Sequence, residues 1–225
     1  ISNTSEAQFA QEFNNQFVGS SSTLINADTL LGLKAKEPEE VHGNLKIYET
    51  PVENHTYLMT VDVSKGRGQD YSTFNVIDIS TRPFKQVAVY KDNLISPILF
   101  PDIIHSVANK YNECVVIIES NDAGQVVCNG LYYDLEYEHT FVESSIKSNG
   151  IGCTMTKKIK RIGCSNLKDL IEQTGLDVVD ADTIQELSSF IPKTQMTMVK
   201  FLDSSSKSKL YDSLVYILPS EDTIV

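Results

Sequence analysis

HTYLMTVDVSKGRGQDYSTFNVIDIS, residues 55–80, contains two β-branched and aromatic runs, TYLMTVDV and STFNVIDI, parted by the turn-rich SKGRGQDY. A third run, KQVAVYK at 85–91, follows after STRPF. Short runs at this spacing, divided by glycine, proline and serine clusters, are the pattern of consecutive antiparallel strands. The three predict a meander. Next, PDIIHSVANKY (101–111) carries Ile103, Ile104, Val107 and Tyr111 at helical spacing. CVVIIE (114–119) is a continuous apolar run too short for a helix, as expected of a central strand buried on both faces.

The order β-β-β-α-β-α returns the fourth strand through a right-handed helical crossover to lie parallel to the first. An α/β mixed sheet flanked by helices with this connectivity is the ribonuclease H/resolvase-like arrangement, and it sets the end of strand one beside the end of strand four. Strand one ends at Asp62 and strand four at Glu119. A carboxylate within an apolar strand costs several kcal/mol unless it is paired or holds a cation. Each acid accepting N–H bonds from its following turn is one reading. The other is a pair of hard oxygen ligands for Mg2+ or Mn2+, the chemistry of two-metal phosphoryl transfer. Asp70, beyond the glycine turn, is placed to fold back over the same site. Asp122 sits at the start of the next helix, where an N-cap role competes with ligation. Lys65 and Arg67 lie in a turn between two strands and no GxxxxGK[ST] occurs, so the stretch is not a P-loop and no nucleotide site is expected.

The 225 residues carry 19 Lys+Arg against 30 Asp+Glu, a net charge of -11, which argues against broad adhesion to nucleic acid or anionic membrane. One island departs from this average. From 147 to 168 stand Lys147, Lys157, Lys158, Lys160, Arg161 and Lys168 with no acid among them. The island reads either as a solvated loop face or as a phosphate-binding stripe, since nucleic-acid binding needs a local cationic track. Cys114, Cys128, Cys153 and Cys164 form no CxxC pair and are too few for a disulfide scaffold, so free thiols are expected. No apolar run approaches the ~20 residues of a membrane span, and ISNTSEAQFAQEF lacks signal-peptide order, so a soluble chain that is not secreted is expected.

Residues 1–50 read as an N-terminal arm and connector, with Phe9, Phe13 and Phe17 striping a short helix and the acidic KEPEEVHGN linking onward. Residues 51–225 read as the compact domain. Within it AGQVVCNGLYY (123–133) is expected to be helical, as are SNLKDLIEQ capped by Ser165 and DTIQELSSF capped by Asp182 with Gln185 at N3. MTMVKFL (196–202) reads as a strand and SSKSKLYDSLVYIL (205–218) as a last helix. The four histidines read as surface or satisfied groups, and neither Ser120 nor the cysteines has a base partner for covalent catalysis.

VDVSKGRGQDYSTFNVIDIS, IIESND, LYYDLEYE and GCSNLKDLIE, occurring in that order, closely resemble the nuclease domain of the large terminase subunit of T-even-type tailed bacteriophages. The resemblance runs from about Phe9 to Phe190. It implies a ribonuclease H-like fold and a metal-dependent endodeoxyribonuclease, using Mg2+ or Mn2+ and two ions, that cuts concatemeric double-stranded viral DNA during packaging in the host cytoplasm. It also implies an ATPase motor domain, a small terminase subunit and a portal as partners, and no membrane. Asp62 and Glu119 match two acids of the family's catalytic triad, and Asp70 matches the acid of its turn. The family's third acid opens the last helix in an HDDLV-type motif, whereas this chain reads VKFLDSSSKSKLYDSLVYIL. Asp203, ending a strand before that helix, is preferred for catalysis and metal binding; Asp212 is the alternative. Lys65, Arg67 and the basic island would hold the DNA backbone. A non-catalytic DNA-binding or assembly module, or a Holliday-junction-type resolvase, is the alternative function.

Overall fold

The computed structural model describes residues 23–145 and 148–190. In chain order these form α1 (Ala27–Gly32), β1 (Glu40–His42), β2 (Leu45–Ile47), β3 (Tyr57–Asp62), β4 (Ser72–Asp78) and β5 (Phe84–Asp92). Then come α2 (Phe100–Lys110), β6 (Val115–Ile118) and α3 (Gly124–Asn129), which runs into a π turn at Gly130–Asp134. The remaining elements are β7 (Val142–Ser145), β8 (Ser148–Ile151), α4 (Lys157–Glu172), β9 (Leu176–Asp177) and α5 (Ala181–Ser189). The Phe9–Phe17 stripe, Lys147, the 196–202 strand and the helix with Asp203 and Asp212 lie outside the described residues.

The expected meander is present: β3, β4 and β5 pair antiparallel, and β6 lies parallel to β3 after the α2 crossover. The sheet order is β1-β2-β5-β4-β3-β6, with β9 joined to β5. Every residue of β3 and β4 is buried, because helices cover both faces. On one face Met59, Val61, Phe74, Val76 and Ile118 pack with Phe100 and Ile104 of α2, Tyr111 at its C-terminal cap, and Val127 of α3. On the other, Ile77 packs with Ile25, Leu30 and Leu167, Leu170 and Ile171 of α4, alongside Ile184 and Leu187 of α5. That buried apolar surface is the main source of stability.

Four sequence expectations are corrected. β6 ends the sheet order instead of lying at its centre; it is nonetheless covered, because its outer edge bonds to His139, Phe141 and Cys153 backbone groups. The helix expected to be capped by Ser165 starts nine residues earlier: Thr156 caps it, its hydroxyl accepting from the Ile159 N–H at 3.2 Å, so most of the basic island is helix rather than loop. Asp180, not Asp182, caps α5, which removes Gln185 from N3. The acidic connector holds β1, which with β2 extends the sheet through β5. These three-residue strands carry no local signal and exist because β5 offers them an edge.

Asp180 is fully buried at the centre of a polar junction. Its carboxylate accepts from Tyr48 at 2.6 Å, from Lys46 at 3.1 Å and from the Thr183 N–H and hydroxyl, both at 2.8 Å. Burial raises its pKa, but the Tyr48 bond, the Lys46 charge and the Thr183 bonds together outweigh it, so the net shift is downward. A depressed folded pKa contributes stability above the unfolded value, and that stability is lost as pH falls toward the folded value. Thermal stability is therefore expected to drop below about pH 4. Asp180→Asn, which removes the buried charge from its Tyr48, Lys46 and Thr183 contacts while Lys46 keeps Asp182 at 3.0 Å, is expected to cost about 2 kcal/mol at pH 7 and to flatten that acid limb in melts measured against pH. An unchanged acid limb would remove Asp180 from this role.

Candidate active site

The β3–β6 register pairs Val61 with Ile118, and the Glu119 N–H donates to the Val61 carbonyl at 3.0 Å. The next step of the same register sets Asp62 beside Glu119. Residues opposite one another on parallel strands project to the same side of the sheet, so both acids leave on the face of Thr60 and Ile117. Asp62 is only 3% exposed and Glu119 is half-buried. The helical crossover thus places two carboxylates at neighbouring strand ends, as the sequence predicted.

The turn after Asp62 is held from below. The Ser64 N–H donates to the Ser72 hydroxyl at 2.9 Å, and the Gly68 N–H to the Asn93 carbonyl at 2.8 Å. Gly66 has a φ of +64° and presses on the 94–95 backbone, where a Cβ would fall on the Ile95 carbonyl oxygen. Glycine is required there on both grounds. The turn carries Lys65 and Arg67, exposed, into a cleft of about 330 Å³ lined also by Val63, Ser64, Gln69, Asp70, Asp122 and Ala123. Asp70 and Asp122 are therefore brought together with the two cations, while Asp62 and Glu119 are not among the cleft's lining residues.

Asp122 does not cap α3. The N-cap position is Ala123, with no side-chain bond, and Asp122 has a φ of +50°. Asp122 is instead one of the residues lining the cleft, which removes the capping explanation for this acid without making it a ligand.

Beyond Glu119 the chain runs beside residues 153–155. Glu119 and Cys153 form a parallel bridge, and Asn121 bonds twice to the Met155 backbone, at 2.8 and 3.1 Å. Burial, then the charges of Glu143 and Glu119, push the Cys153 thiol up to about 11, so it is an inert thiol here. Glu143 on β7 is an acid near the site to which the sequence assigned no role; its carboxylate lies 3.5 Å from the Thr154 N–H. No local signal marks it, since β7 reaches Cys153 only through tertiary pairing. Lys157, Lys158, Lys160 and Arg161 occupy the first turns of α4, which begins after Met155 and the cap Thr156. Lys168 is separated from them, roughly 16 Å along the helix from Lys157, and faces Glu172 at 3.9 Å.

The histidines are occupied elsewhere: His55 meets Asp78 at 2.7 Å and His42 meets Glu40 at 2.9 Å. Among the described residues, no group of three or more His, Cys, Asp or Glu is arranged to hold one cation. The acids at these strand ends offer carboxylate oxygens, those of Asp62 almost fully buried.

Residues 59–221 match the model of the terminase RNaseH-like domain. The fold is similar to the large terminase nuclease of thermophilic phage G20c with bound magnesium (TM-score 0.68, 18% identity, 87% of this chain and 96% of that one). It is similar also to the large terminase nuclease domain of Thermus phage P74-26 (TM-score 0.61, 20% identity, 83% and 88%). The large terminase of thermophilic bacteriophage D6E in complex with ADP matches at a TM-score of 0.54 and 13% identity, over 77% of this chain and 41% of that one.

Proposed function

This chain belongs to the terminase RNaseH-like domain family, and on that premise we propose that it is a divalent-cation-dependent endonuclease that cuts concatemeric double-stranded viral DNA during genome packaging. The observation that carries this reading is the register placing Asp62 beside Glu119 at the ends of adjacent parallel strands. With a third carboxylate from Asp203 or Asp212, these acids would hold Mg2+ or Mn2+. Two such ions supply the positive charge that favours a water nucleophile and stabilises the departing 3′ oxygen. The G20c nuclease was obtained with magnesium, cobalt and zinc bound, which supports divalent-cation use.

The chain's own contribution is positional. β3 and β6 hold the acids on a rigid sheet. Lys65 and Arg67, on a glycine turn pinned to the 93–95 backbone, contact phosphate on one side of the acids. The first turns of α4 contact it on the other. Phosphate contacts set register without reading sequence, so weak base preference is expected. Kinship with the T-even-type enzymes, and an ATPase motor, small subunit and portal as partners, belong to the same proposal. The test is nicking of plasmid with and without Mg2+ or Mn2+ against an Asp62→Asn control; cation-independent or absent nicking overturns it, and strong preference for branched DNA redirects it to a resolvase.

The basic turns of α4 have their own expected result. Replacing Lys157, Lys158, Lys160 and Arg161 together by Ala should weaken duplex binding with little change in Tm. The slope of log K against log salt should fall by roughly 0.9 for each phosphate that is no longer neutralised. Binding titrations at several salt concentrations measure this. With a net charge of -11, wild-type binding should itself vanish at moderate salt. An unchanged slope in the variant would move the DNA path to Lys65 and Arg67.

A further inference from the structure

Asn121 stands two residues past Glu119, and its side-chain amide makes a reciprocal pair with Met155: its oxygen accepts the Met155 N–H at 2.8 Å and its NH2 donates to the Met155 carbonyl at 3.1 Å. The pair continues a backbone ladder. The Cys153 N–H donates to the Ile118 carbonyl at 2.8 Å and the Ser120 N–H to the Cys153 carbonyl at 3.0 Å. Beyond that point the amide of Asn121 carries the junction further, together with a Ser120–Thr154 hydroxyl contact at 3.2 Å. Thr156 follows at once and caps α4.

The junction matters because the core does not hold the first turns of that helix. The buried residues of α4 are Gly163, Cys164, Leu167, Leu170 and Ile171, all after Ile162. Residues 157–162, which include the four cations, bury no side chain. A helix end with no buried side chain opens more readily, and what ties down its start limits that opening; here the start follows Met155, whose side chain packs against the apolar clusters of Leu167 and Ile117. Lys157 lies two residues past Met155, at most about 7 Å of chain. The 120–121 to 154–155 junction is thus a direct tie between these turns and the Glu119 strand end.

We propose that Asn121 is a positioning residue that sets the basic first turns of α4 against the Glu119 strand end, so that acid and cations meet one stretch of duplex backbone. The inference rests on the nuclease reading above. Asparagine suits the task because one planar amide supplies both an acceptor and a donor, as a peptide group would. Aspartate keeps only the acceptor and turns a second oxygen on the Met155 carbonyl. Alanine supplies neither.

The test compares Asn121→Ala and Asn121→Asp with the wild-type chain by amide hydrogen exchange and by plasmid cleavage kinetics. In Asn121→Ala, exchange over residues 159–162, the first hydrogen-bonded amides of the helix, should rise about tenfold while residues 164–172 stay as in wild type. KM for duplex should rise about tenfold with kcat changed less than about threefold, and Asn121→Asp should fall between. In a Lys157→Ala/Lys158→Ala background, Asn121→Ala should add less than about threefold to KM, since the groups it positions are gone. Unchanged exchange in the first turns overturns the positioning role. Raised exchange with unchanged KM, or a KM effect that simply multiplies with that of the lysines, overturns its link to DNA. Exchange is read without DNA, so a chain that cleaves nothing refutes the nuclease reading while this measurement still decides the position of α4. If Asn121→Ala loses protection throughout the chain, Asn121→Asp carries the same comparison.

Discussion

Asp62→Asn and Glu119→Gln are each expected to lower cation-dependent plasmid cleavage by about a thousandfold or more, while leaving Tm equal to wild type or higher. The activity loss follows from removing a charge that holds the cation: a single well-placed electrostatic contributor is worth about 100- to 1000-fold, and a bound ion contributes more than one such interaction. The stability expectation follows from the register. Two carboxylates at adjacent strand ends, one of them almost fully buried, repel one another when no cation lies between them, and neutralising either relieves that repulsion. Sites built for chemistry commonly carry such a stability cost. Cleavage assays and thermal melts on the same preparations measure both. A marked fall in Tm with cleavage intact would mean that the two acids serve their turns and nothing more.

Gly124→Ala is expected to be the most damaging single methyl group in the described structure. Gly124 opens α3, and a Cβ there would fall on the Glu119 carbonyl oxygen and lie 2.8 Å from its carbon. Backbone cannot rotate away as a side-chain tip can, so either the helix start or the Glu119 strand end must shift. Overpacking of this kind is expected to cost about 3 kcal/mol, which for a chain of this size lowers Tm by about 6 to 12 °C. Because the clash is with Glu119 itself, cleavage should fall further than the unfolded fraction explains. Gly32→Ala is the control, since a Cβ there meets nothing within 4 Å, and it should leave both melting and cleavage nearly unchanged. A Gly124→Ala protein that melts and cuts like wild type would show that the Glu119 turn tolerates displacement.

The β3-β4-β5-α2-β6 frame and the meeting of Asp62 with Glu119 are legible in the residues alone. Apolar runs of strand length, a helical run between the third and fourth, and the handedness of crossovers leave one way to lay the fourth strand, and each acid ends its run, so their adjacency follows from topology. The start of α4 is not legible in this way. Residues 157–162 have charge where an amphipathic helix would show a stripe, so apolar periodicity begins only near Ser165, while the actual start is decided by Thr156 and by the Met155 contact with Asn121, 34 residues earlier. Asp122 has the pattern of a cap, a short acid before a helix; in the fold its backbone is left-handed, it lines the cleft, and Ala123 holds the N-cap position. β1 and β2, the closed outer edge of β6 and the place of Glu143 beside Cys153 depend on backbone groups that meet only after the sheet has formed. Long-range pairing of that kind has no local pattern, because the partner that satisfies each group is supplied by a distant part of the chain.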